Sequence, residues 1–172
     1  MKSFKTFVTE NPVIDPTLTK NTFKLGADHY RQLIHKHIHP TATHIGNNHY
    51  TSTTDDDHLY YRHDGTKIHE ISTIEHGTNI QNHAEKHSGS SEHIHEFMKY
   101  HAKKFGSVKS DSVHTPGSKK LWKDLIKSNS PGYSFHHITK NGISKINKDN
   151  IKDDEIWGND KHHSILEMKH DG

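Results

Sequence analysis

Lys86-His87-Ser88-Gly89-Ser90-Ser91 runs directly into a helical pattern, Glu92 to Phe105. A glycine/serine turn ahead of a helix offers free backbone N–H groups at the positive end of the helix dipole. A phosphate can settle there without a charged side chain. The helix after the turn carries Ile94, Phe97, Met98, Ala102 and Phe105 at helical spacing, and these are its expected buried face. Gly106 follows as a natural C′ stop.

Downstream of this stretch, Ser107 to Val113 reads as a short strand. Thr115-Pro116 then opens a second helix, with Thr as N-cap and Pro at the first helical position. Leu121, Trp122, Leu125 and Ile126 form its apolar face, and Pro131-Gly132 ends it. Tyr133 to Thr139 and Ile143 to Ile146 flank an Asn141-Gly142 turn, a hairpin signal. Ser164 to Met168 is a last strand.

Upstream, Tyr30, Leu33, Ile34, His37 and Ile38 form an apolar stripe within a helix candidate in residues 17–40, closed by His39-Pro40. Thr41 to Asn48 reads as a polar connection. Three strand-like runs follow: His49 to Thr53, His58 to His63 and Thr66 to Ile74, with turns at Asp55-Asp56-Asp57 and Asp64-Gly65. Glu75 to Ser88 reads as polar and irregular. This order implies an α+β fold, a mixed and mostly antiparallel sheet flanked by helices.

Composition narrows the classes. The chain has 172 residues, only 28% of them hydrophobic, so one small core with long polar connections is expected. A formal net charge of +2 provides no strong nucleic-acid signal. No apolar run approaches the ~20 residues of a membrane span, so no membrane partner is expected. The absence of cysteine excludes disulfides and thiolate metal sites, and suits an intracellular or virion setting. Histidine is the anomaly, with 21 residues against 23 Lys and Arg together, so the charge climbs steeply in mild acid. The chain holds no H-E-x-x-H pattern, and histidines spread over its whole length read as surface residues rather than metal ligands.

Met1-Lys2-Ser3-Phe4 and Phe7-Val8-Thr9-Glu10 bracket an amphipathic decapeptide, with Phe4, Phe7 and Val8 opposite Lys2 and Lys5. It resembles the capsid-targeting sequence of internal head proteins of T-even-type bacteriophages, which begins Met-Lys-Thr-Tyr and ends Phe-Ile-Ala-Glu. The resemblance implies cleavage after Glu10, contact with capsid or scaffold proteins, and a place in the virion interior. The alternative is the host cytoplasm. Residues 1–10 are then a targeting-like segment, and residues 11–172 a domain with a polar C-terminal extension.

The element order and two local patterns resemble the GNAT acetyltransferases. In that family a strand enters an Arg/Gln-x-x-Gly-x-Gly/Ala loop that holds the pyrophosphate of acetyl-coenzyme A. Lys86-x-x-Gly89-x-Ser91 has that spacing. A later strand and helix carry Asn-x-x-Ala-x-x-Leu-Tyr, and Thr115-x-x-Ser118-x-x-Leu121-Trp122 falls in register. The resemblance implies acyl-coenzyme A as cofactor, bound by Lys86, Ser88, Gly89, Ser90, Ser91 and Thr115. It implies a general base on the strand before the loop, for which Glu70 is the candidate. Trp122 stands where the family's Tyr serves as general acid, and has no ionisable hydroxyl. Two outcomes stay open: an active acyltransferase, or a relative that keeps the scaffold without the chemistry.

Two other classes remain. His49-Tyr50-Thr51 and His137-Ile138-Thr139 resemble the paired His-x-Thr motifs of two-histidine phosphoesterases, with one histidine as base and the other as acid. His76-Gly77-Thr78 repeats the pattern by chance. A non-catalytic internal or structural virion protein is the third class.

Overall fold

The computed structural model describes residues 28–29, 31–54, 57–75, 77–82, 92–112, 114–151, 156–157 and 164–172. The decapeptide and the Lys86–Ser91 turn lie outside them. The fold is α+β. The chain divides into two compact units, Met1–His76 with Ile80–Ile94, and Gly77–Asn79 with His95–Gly172.

The first unit holds an antiparallel meander of β1 (Thr43–Gly46), β2 (His49–Thr54), β3 (Asp57–His63) and β4 (Ile68–Glu75), paired in sequence order. β1 corrects the reading of residues 41–48 as a polar connection. Thr-His-Ile-Gly is too short and polar to show strand periodicity. What makes it a strand is the turn after it: Asn47 and Asn48 both take positive φ, 48° and 61°. Two consecutive left-handed residues are the signature of a hairpin turn whose twist matches its strands. Asp64-Gly65 turns the chain as expected. The Asp64 carboxylate accepts from the Thr66 and Lys67 N–H groups, both at 2.9 Å, and from the Thr66 hydroxyl at 2.6 Å. Those bonds and the His69 ring beside it hold the Asp64 carboxyl well below the usual range.

Helical residues Asp28–His29 and Arg31–Leu33 lead into a π-helical turn, Ile34–Ile38, and a short 3-10 turn, His39–Thr41. Ile34 and Ile38 are buried with Leu59, Tyr61, Ile68 and Ile71, and Leu33 packs beside them. Full burial of each such aliphatic side chain contributes about 1.5–3 kcal/mol. His37, expected on this apolar stripe, is exposed. The wider turn rotates it off the face that Ile34 and Ile38 bury.

β5 (Thr78–Asn82) corrects the reading of residues 75–88 as irregular; Glu75 itself ends β4. α1 (Glu92–Phe105) buries Ile94, Phe97, Met98 and Ala102 as expected, but Phe105 is 49% exposed. His101, one turn earlier, is buried on the stripe instead, and the Phe105 ring lies against it, centroids 4.6 Å apart. Gly106 stops the helix at φ 98°, its N–H donating to the Ala102 carbonyl at 2.8 Å.

In the second unit β6 (Ser107–Lys109) is shorter than the expected run to Val113. β7 (Tyr133–Thr139), β8 (Gly142–Ile146) and β9 (Ile165–His170) complete an antiparallel sheet in the order β6-β9-β7-β8. Val108, Met168 and Phe135 lie side by side across β6, β9 and β7, and all three are buried. β5 pairs β6 in parallel through Thr78 and Lys109. α2 (Pro116–Lys127) buries Leu121, Trp122, Leu125 and Ile126. The His95 Nε2–H donates to the Leu121 carbonyl at 3.0 Å, joining α1 to α2.

Candidate functional site

Of the residues that the sequence assigns to a cofactor, Lys86, Ser88, Gly89, Ser90 and Ser91 lie outside the described residues. Thr115 is described, and its hydroxyl oxygen accepts from the Ser118 N–H at 3.2 Å as the N-cap of α2. Trp122 is fully buried. It fills the interior beside Leu121 and Leu125.

Glu70 sits on β4 directly opposite Arg62 of β3. The Arg62 Nε–H donates to Glu70 Oε2 at 2.9 Å, and the Glu70 side chain is 9% exposed. A charge-assisted bond of this kind satisfies a carboxylate that is otherwise costly to bury. Glu70 is therefore held in place on β4 by Arg62 through Oε2.

The two His-x-Thr histidines have local roles. His49 is buried, and its Nε2 lies 2.9 Å from Nδ1 of His93. His137 Nε2 lies 2.6 Å from the Ser164 hydroxyl. That hydroxyl has one proton, which it donates to the Ile156 carbonyl. Nε2 of His137 then carries the proton it gives to Ser164.

His114 is buried beside Trp157, with ring centroids 5.6 Å apart. The Ser110 hydroxyl donates to the Asp111 carbonyl at 2.8 Å and accepts from the Leu166 N–H at 2.8 Å. Its contact with His114 Nε2 at 3.3 Å is therefore a bond that the ring donates, while Nδ1 faces the Ser118 hydroxyl at 3.3 Å. Burial pushes His114 down to about 4, against a backbone hydrogen bond at Ser164 that raises it, and the nearby Lys119 and His137 add to the lowering. The ring is neutral at pH 7.

Among the described residues, the largest concentration of titratable rings is one that the sequence did not reveal. His35 and His39 from the π- and 3-10-helical turns meet His63 and Tyr61 from β3 and Tyr50 from β2. His39 stacks on His63 with centroids 4.0 Å apart, and His35 lies 5.7 Å from His63. His35 and His39 stand four residues apart in the chain. Their partners come from 22 and 28 residues away in the chain, which no local pattern shows. Among the described residues no group of three His, Asp or Glu has metal-holding geometry. Comparison with protein-family models, curated proteins and solved structures finds no match.

Proposed function

We propose that this chain is an acyl-coenzyme A-dependent acyltransferase of GNAT-like architecture. The observation that carries the reading is the parallel pairing of β5 with β6. Parallel neighbours need a crossover, and here it contains Lys86-x-x-Gly89-x-Ser91 followed by α1. Ligands of α/β sheets collect where a strand's carboxyl end meets a helix N-terminus, and a pyrophosphate is suited to that place. β6 followed by α2, with its Thr-Pro start and Leu121-Trp122, supports the same order.

In the proposed reaction the acceptor amine attacks the thioester carbonyl. The new N–C bond forms, the C–S bond breaks, and the amine proton passes to Glu70 Oε1, directly or through water. Backbone amides polarise the carbonyl. Trp122 has no proton to give, so the leaving thiolate takes its proton from solvent. This arrangement supports slow transfer and leaves cofactor binding intact.

Acetyl-coenzyme A at a hundred times its dissociation constant should stabilise the fold by roughly 2.7 kcal/mol. For a chain of this size that raises Tm by about 5–10 °C. Gly89→Glu, which places a negative charge where phosphate is expected, should remove the rise without lowering Tm in the absence of ligand. An unchanged Tm at millimolar acetyl-coenzyme A in the wild type would refute the reading.

A further inference from the structure

We infer that His63 and the two histidines stacked against it form an acid-operated latch, which holds the helical segment Arg31–Thr41 on the β-meander at neutral pH and releases it in mild acid. The inference is independent of the acyltransferase reading.

The geometry at neutral pH is specific. Nδ1 of His63 accepts the Gly65 N–H at 2.9 Å, so the neutral ring carries its proton on Nε2. Nε2 faces Nδ1 of His35 at 3.5 Å. His39 lies stacked on His63, and its Nδ1 is 2.7 Å from the Tyr61 hydroxyl. Tyr61 is fully buried, and burial with Tyr50 alongside raises its pKa, so its hydroxyl keeps its proton and donates to His39. The segment is thus joined to the sheet by a polar seam of neutral rings, beside the apolar anchors Ile34 and Ile38.

Protons break this seam. The groups facing His63 are His35 and His39 from the helical segment, Asp64 from the following turn and His69 from β4. Tyr50 from β2 touches it edge-on. Asp64 is the one anion among them, and it is engaged by Thr66, Lys67 and His69. A proton on His63 Nδ1 displaces the Gly65 N–H. A proton on His39 Nδ1 reverses the Tyr61 bond and leaves the buried Tyr61 proton without its acceptor. A proton on either flanking ring puts positive charge against a ring that is only 3% exposed. Burial, then His39 and His35, lower the His63 pKa from 6.5. The closed form therefore binds fewer protons than the open form below pH 6.5, and its stability is lost as pH falls through that value. No other element has to move: opening exposes the seam, and the released rings charge in water.

Hydrogen exchange on the full chain at pH 7.5 and pH 5.5, corrected for intrinsic exchange chemistry, tests the latch. Amides of residues 33–41 should lose most of their protection, while those of β3 and β4 keep theirs. His63→Phe keeps a stacked ring that cannot charge and should remove most of the loss. Should His63→Phe fail to fold, His35→Phe at the exposed end of the stack should move the transition to lower pH. His37→Asn, on the same turn but facing solvent, should leave it unchanged. Equal loss across all strands, no loss at pH 5.5, or wild-type behaviour in the phenylalanine variants would each overturn the latch.

Discussion

His63 and His114 are both buried histidines, one in each unit, and their surroundings differ in kind. His63 is stacked against two further histidines. His114 is held by serine hydroxyls and an indole. A ring among hydroxyls can be kept neutral at low cost, because each neighbour turns its single proton to suit. A ring among other imidazoles has neighbours that can themselves take up protons. The first arrangement makes a stable interior, and the second makes a seam that fails in mild acid. In a chain with 21 histidines, burial alone does not decide which are switches; the identity of the neighbours does.

Trp122→Ala gives the largest expected effect and sharpens the contrast from the side of the second unit. Trp122 is fully buried on α2 between Leu121 and Leu125 in the helix pattern. Its loss should cost about 3–5 kcal/mol, read as a lowered urea midpoint at pH 7.5. A near-wild-type midpoint would show that the α2 face is not what holds this unit. Because no titratable group is altered, the histidine exchange response of residues 33–41 should persist wherever the variant is folded.

The second effect is the pH dependence of His114. Its folded pKa of about 4 lies below the ordinary 6.5, so the unfolded chain binds a proton that the folded chain refuses. Stability contributed by the neutral ring is fully present above pH 6.5 and declines as pH falls toward 4, by about 3 kcal/mol in all. His114→Gln keeps a donor and an acceptor without the titration. It should flatten the fall in urea stability between pH 6.5 and 4. An unchanged slope would mean that the hydroxyl cage does not keep this ring neutral, and the comparison with His63 would break.

The smallest effect is at the N-cap. Thr115→Ala removes the oxygen that accepts from Ser118 and should cost about 1 kcal/mol. If Thr115 also contacts cofactor, the variant should weaken acetyl-coenzyme A binding beyond this loss of stability.

What was legible in the sequence follows from how local each signal is. The Thr115-Pro116 start and the Leu121, Trp122, Leu125, Ile126 face of α2 are complete within one helix, and both stand as read. β3, β4 and the β7–β8 hairpin were equally visible, through alternation and the Asp64-Gly65 and Asn141-Gly142 turns. β1 was hidden because its own residues are polar; only the paired left-handed asparagines after it carry the signal. Phe105 was misplaced because helical spacing does not say which polar residue is taken into the buried stripe, and His101 was. The Glu70–Arg62 pair needed the β3–β4 register, and the His35–His63–His39 stack needed the helical segment laid on the sheet.

The measurement that tests the account most directly is a calorimetric titration of the full chain with acetyl-coenzyme A, beside a cyclic phosphodiester, for wild type and Gly89→Glu. The wild type should show saturable one-to-one binding of acetyl-coenzyme A, Gly89→Glu should lose that binding, and the phosphodiester should give no heat. Binding or hydrolysis of the phosphodiester that is lost in His137→Ala, with no response to acetyl-coenzyme A, would contradict the account.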